Sequence, residues 1–126
     1  MAKHSLDSLE GLLAKVKSHP NISRAGMILC HNGIVREFSR TDGKKVKSLN
    51  VKVDKPSIEK AKSWALSQPG IVEVEIKAFE GKFKVGDDLL YVVLAGDIRE
   101  NVFNIMRELV EKIKTECVIK KEFFAD

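Results

Sequence analysis

The sequence predicts an α+β fold: two layers, with a mainly antiparallel sheet and the helices on one of its faces. Three observations predict it. Segments with apolar residues at helical spacing are interleaved with short strand-like segments in the order α-β-β-α-β-β-α-β. Residues 71–77 alternate strictly, Val72, Val74 and Ile76 against Glu73, Glu75 and Lys77, as a half-buried antiparallel strand does. Residues 89–95, LLYVVLA, are apolar throughout, as a strand at the centre of a sheet is. The 126 residues are enough for one real core and not for two, so residues 1–126 read as a single domain.

The first helix carries Leu6, Leu9, Leu12, Leu13 and Val16 on one face, with Asp7 and Glu10 spaced as a capping box. It stops before Pro20, because the residue preceding a proline avoids helical geometry. Residues 25–32, AGMILCHN, read as a buried strand ended by Gly33. SRTDGKK at 39–45 is a polar loop with an Asp-Gly turn, and 46–53 alternate as a strand. Residues 55–67 form a helix with Ile58, Ala61, Trp64 and Ala65 on its inner face, closed by Pro69-Gly70. Gly81 and Gly86-Asp87 punctuate a turn before the central strand. Asp97, with Glu100 three residues on, is positioned to cap a long helix whose stripe is Ile98, Val102, Ile105, Leu109, Val110 and Ile113. Residues 118–124 are the closing strand.

Composition narrows the function classes. A hydrophobic share of 44% with 32% charged residues is that of an ordinary soluble globular protein. No apolar run approaches membrane-spanning length and no signal peptide is visible, so a cytoplasmic protein without a membrane partner is expected. Cys30 and Cys117 lie in apolar runs without metal-ligand spacing and read as two buried thiols in a reducing compartment. The net charge of +4 admits an anionic small molecule, a nucleic acid or an acidic protein. Nucleic acid is disfavoured, because Trp64 and Tyr91 lie in segments whose pattern buries them and no aromatic platform is left exposed.

No nucleophile-base-orienter set, phosphate loop, dinucleotide fingerprint or paired histidine motif occurs, so neither a metal nor a cofactor is expected. His4, His19 and His31 are scattered, and His31, at a strand end beside Gly33, reads as a structural or loop histidine. The polar features left are Arg36, Arg99 at a helix start and Lys120 on the last strand. A lysine on a strand beside an arginine at a helix N-terminus is the chemistry of an anion pocket.

Gly33-Ile34-Val35-Arg36 after an apolar strand resembles the Gly-x-Val-Arg signature of the large, catalytic subunit of molybdopterin synthase. Gly81-Lys82-Phe83-Lys84-Val85-Gly86-Asp87 is similar to that family's Gly-x-Leu-x-x-Gly-(Glu/Asp) turn. Asp97-Ile98-Arg99 stands where the family has a His-Arg pair, with Phe103 where it also has phenylalanine. Ile119-Lys120-Lys121-Glu122 is similar to its Trp-Lys-(Lys/Arg)-Glu ending, so the likeness runs from about Ala25 to Glu122.

The resemblance implies an α/β-hammerhead-like α+β fold and a homodimer within a heterotetramer that holds two small ubiquitin-like sulfur-carrier subunits. It implies transfer of sulfur from the carrier's C-terminal thiocarboxylate to cyclic pyranopterin monophosphate, a phosphorylated pterin precursor, in molybdenum cofactor biosynthesis. Lys120 would then be the catalytic residue, with Ile34, Val35, Arg36, Ile98, Arg99 and Lys121 binding substrate. The chain departs from the family pattern at several places. Ile98 replaces the histidine before the second arginine, and Ala78-Phe79 replaces a further His-Arg pair. Lys52 and Asp54 stand in the family's Leu-x-Tyr-Glu-x-Tyr segment, and after Glu122 the family's further basic and aromatic residues are missing. The alternative reading is a non-catalytic relative that binds the carrier tail or a phosphorylated pterin as a scaffold or regulatory subunit.

Overall fold

A computed structural model describes residues 7–125; His4 and Leu6 lie outside the described residues. Helix α1 spans Leu9–Lys17, strand β1 Met27–Ile34, β2 Val46–Val53, α2 Lys55–Leu66 and β3 Ile71–Ala78. Strands β4 (Gly81–Lys84) and β5 (Asp88–Gly96), helix α3 (Arg99–Lys112) and β6 (Val118–Phe124) complete the order. A π-helical turn, Ile113–Cys117, joins α3 to β6.

The strands form two antiparallel sheets, ordered β1-β5-β3 and β4-β2-β6. Strand β5 is the centre of the first. Its Leu90, Val92 and Leu94 pack with Ile58, Ala61 and Ala65 of α2 and Val102, Met106 and Leu109 of α3. Its Tyr91, Val93 and Ala95 pack with Leu12 and Val16 of α1. Burial of both faces is the physical reason for the unbroken apolar run. Each such side chain contributes about 1.5–3 kcal/mol by leaving water.

The α+β class holds, with the helices divided: α2 and α3 cover one face of the first sheet, and α1 closes the other. Glu75 of edge strand β3, itself 7% exposed, receives Lys15 of α1 and Lys62 of α2, each at 3.2 Å, and so ties both helical layers to that edge.

Several sequence expectations are corrected. Ser8, not Asp7, caps α1, its Oγ accepting from the Gly11 N–H at 3.0 Å, while Asp7 pairs with Lys77. Ile98, not Asp97, is the cap residue of α3; Asp97 Oδ1 instead accepts from the Ile98 N–H at 2.7 Å and from Asn101 Nδ2 at 2.9 Å. The carboxylate stands one residue too early to close a box with Glu100. Ile98 is 53% exposed and leaves the α3 stripe, into which Met106 enters. Gly81–Lys84, expected as turn, is the edge strand β4, pairing Phe83 with Leu49. Cys117 is buried, but Cys30 is exposed. Cys30 sits on edge strand β1 on the α1 side, and α1 lies over β5 and β3 rather than over that edge.

Candidate functional site

The two sheets meet along a seam near the start of β5, where Leu89, Val53 and Val118 pack against the cores of both. Along this seam lies a narrow cavity of about 60 Å³, with Gly33, Val51, Leu90 and Val118 among its walls and Lys114 and Lys120 at its polar side. It adjoins a wider groove of about 290 Å³ that carries Arg36, Arg40, Lys114, Lys120 and Glu122.

Each cation reaches this place for a local reason. Lys120 of β6 is paired with Val51 of β2, and residues paired across a ladder share a face. Since Val51 is a buried wall of the cavity, Lys120 is carried into the same seam. Glu122, two residues on, follows on that face and accepts from the buried Ser39 hydroxyl at 3.1 Å, which pins the loop after Arg36 to β6. Lys114 is delivered by the π turn, whose wider winding keeps Ile113 and Cys117 buried and turns the residue between them toward the seam. The Asp54 N–H donates to the Cys117 carbonyl at 2.8 Å and anchors the end of that turn.

Desolvation lowers the Lys120 pKa below its ordinary value; the Lys114 charge lowers it further, and Glu122 opposes both. The His31 imidazole is also lowered, first by burial and then by Lys114, and is held neutral. The arrangement offers an ammonium with weakened hydration beside an apolar slot, and a cationic groove outside it. Among the described residues no group of three or more His, Cys, Asp or Glu side chains is placed to hold a metal. No helix is long and apolar enough to cross a membrane.

The residues singled out from the sequence fall into two sets. Ile34, Val35, Arg36 and Lys120 come together at the groove, although Val35 is 4% exposed and belongs to the small core beneath it. Its N–H donates to the Asp87 carbonyl at 2.9 Å. Lys121 faces away from Lys120 by strand alternation and lies over the Phe123 ring. Ile98 and Arg99 are elsewhere: Arg99 follows the far end of β5, roughly 20 Å along the strand from Leu90. Its side chain is 78% exposed and pairs with Glu100 at 3.6 Å. The three cations expected around one cavity are therefore two within this chain, Arg36 and Lys120, with Lys114 as the residue not foreseen.

The sequence model of the family described as MoaE protein matches residues 2–116. The chain belongs to the MoaE family. This membership assigns it a role in molybdenum cofactor biosynthesis. Solved MoaE-like structures share the fold. A molybdopterin biosynthesis MoaE protein from Burkholderia ambifaria superposes with a TM-score of 0.73 at 20% identity, covering 100% of this chain and 85% of its own. Molybdopterin synthase from Staphylococcus aureus gives 0.69 at 20% identity over 82% of this chain and 77% of that one. A complex of subunits 1 and 2 of molybdopterin-converting factor from Helicobacter pylori gives 0.64 at 19% identity, covering 93% and 83%. The MoaE match ends at Glu116, so Lys114 lies inside the matched stretch and the strand bearing Lys120 follows it.

Proposed function

We propose that this MoaE chain acts in the cytoplasm as the catalytic subunit of a molybdopterin synthase. In this reading it moves sulfur from the C-terminal thiocarboxylate of a small ubiquitin-like carrier to cyclic pyranopterin monophosphate, as a homodimer within a heterotetramer. The observation that carries the reading is the desolvated Lys120 ammonium at the junction of a narrow apolar slot and a cationic groove. The slot suits an extended glycine tail, which has no side chains to accommodate. The groove suits a phosphorylated ligand, with Arg36 offering a planar, permanently charged fork.

Lys120 then holds the carrier's terminal carbonyl oxygen and stabilises negative charge developing there as sulfur is transferred. Lys114, on the other side of the slot, supplies a second positive charge to the same region. Arg99 takes no part in this cavity within one chain; in the homodimer only a second copy could present it.

The test mixes the protein with thiocarboxylated carrier and precursor and measures dithiolene formation. Lys120→Ala is expected to lower the rate about a hundredfold or more, the usual cost of removing a donor to developing charge. Unchanged turnover would remove Lys120 from the chemistry. A second reading, a carrier-binding scaffold without turnover, is favoured by one observation: the slot wall at Ala78 is apolar where the resembling family has a histidine. Tight carrier binding with no dithiolene from the unmodified protein would select it.

A further inference from the structure

His31 sits within β1, paired with Val92, on the face that carries Leu29 into the core under α3. Its Nε2 is buried and, alone among buried side-chain nitrogen and oxygen atoms of the described residues, has no hydrogen-bond partner. Buried polar groups in folded proteins are paired, and an exception calls for an explanation. A phenylalanine would fill the same space without an unsatisfied nitrogen.

The position of that nitrogen supplies the explanation. A methyl group placed on Gly33 would come within 3.3 Å of Nε2, so the ring edge lies against bare backbone at a wall of the slot. Around the same point stand carbon surfaces, Leu90 above all, and the one charged group acting on the ring is Lys114. A second cation disfavours imidazolium here, so the ring carries one proton and can present it at Nε2. The slot has two ammonium groups at its polar side and apolar walls elsewhere. A peptide entering it would find few donors for its backbone carbonyls away from the lysines.

We propose that His31 is a specificity-determining residue of the slot, its Nε2–H donating to a backbone carbonyl oxygen of the glycine-ended carrier tail. The proposal rests on the reading of the slot as the tail's binding site. It makes the slot select an extended peptide rather than an apolar ligand of the same width, because an apolar occupant would leave the nitrogen unpaired.

The experiment uses the full chain and a recombinant ubiquitin-like carrier ending in Gly-Gly with a free carboxylate. Affinity is measured for the unmodified protein, His31→Phe and His31→Gln, and the histidine ring nitrogens of the unmodified protein are followed by NMR during titration. The expected result is about tenfold weaker binding by His31→Phe, binding within about threefold for His31→Gln, and a shift of the Nε2 resonance at saturation. Equal or tighter binding by a folded His31→Phe overturns the proposal and leaves the slot's assignment standing. An Nε2 resonance unmoved by bound carrier also overturns it, even if His31→Phe does not fold, and would mean that a fixed water already satisfies the nitrogen. No binding by the unmodified protein removes the assignment of the slot as well.

Discussion

Two glycines of one chain segment separate folding from function. At Gly33 an added Cβ would lie 3.3 Å from His31 Nε2 and 3.7 Å from Leu90 Cβ, both side-chain atoms that can move by a few tenths of an ångström. Its backbone needs no positive φ, so alanine is conformationally allowed there. Replacing glycine also removes unfolded-state freedom, a gain of about 0.4–1 kcal/mol that offsets the tight contact. Gly33→Ala should therefore leave stability within about 1 kcal/mol, or roughly 4 °C in Tm for a chain of this size. The same methyl projects at the slot, where a displacement of about 1 Å in a reacting tail can cost a hundredfold in rate.

Gly26 is the contrast. A Cβ there would meet the Asp97 carbonyl oxygen at 2.1 Å, a backbone atom that cannot turn aside. Relief requires β1 to move off β5 and the 2.8 Å bond from the Gly26 N–H to the Gly96 carbonyl to break. Overpacking of about 1–3 kcal/mol and a lost hydrogen bond of about 1 kcal/mol predict a loss near 2–4 kcal/mol. Thermal unfolding of both variants, with carrier affinity and dithiolene formation for Gly33→Ala, makes the comparison. A Gly33→Ala protein as unstable as Gly26→Ala, or one that keeps full carrier affinity and turnover, would refute the reasoning.

Two further outcomes are expected. Tyr91, the single tyrosine, has its pKa pushed up to about 12 by its hydrogen bond to Asp88, with burial adding to it. Its ultraviolet absorbance should show tyrosinate only near that pH; Asp88→Asn should bring the transition down toward 10, and because the neutral phenol is favoured in the fold, stability is constant below pH 10 and falls as pH rises from about 10 to about 12. Glu75→Gln should cost about 1–2 kcal/mol in urea unfolding and flatten the salt dependence, since the carboxylate is nearly buried and holds Lys15 and Lys62 of different layers, whereas no change would class the cluster with ordinary surface pairs.

The parts of the fold written in the sequence are those where burial is uniform or strictly periodic. Residues 46–53 and 118–124 are strands with the expected limits, and β5 declares itself because both its faces are covered. Strand β4 was hidden because four residues with one half-buried phenylalanine show no period. The cap of α3 was misplaced by one residue because Asp97 bonds the backbone just ahead of the helix, a pattern the same residue types produce inside or outside it. Exposure of Cys30 depends on which strand lies at an edge, and that is a property of the pairing order.

The site was legible only through its strand residues. Arg36 and Lys120 sit beside short motifs, whereas Lys114 follows the last apolar residue of the α3 stripe like any solvated helix lysine. Its only sequence signal was charge at a helix end. What brings it to the slot is a change of winding from α to π, which no periodicity over five residues reveals. His31 offered a polar residue in an apolar strand; its significance needed the neighbouring glycine and the second sheet in place.

The groove gathers Arg36, Arg40, Lys114 and Lys120 around Glu122, whose carboxylate is already engaged by Ser39. Four positive groups facing one committed acid repel one another. The lowered pKa of Lys120 is the visible consequence, since desolvation and Lys114 together outweigh Glu122. A bound anion reverses the second of these effects: a carboxylate or phosphate between the lysines favours the charged form of both. The free site is thus electrostatically strained toward losing a proton from Lys120, and the occupied site is fully protonated. Binding and the charge state needed to stabilise an oxyanion are thereby coupled, so the ammonium is most firmly in place when the ligand that needs it has arrived.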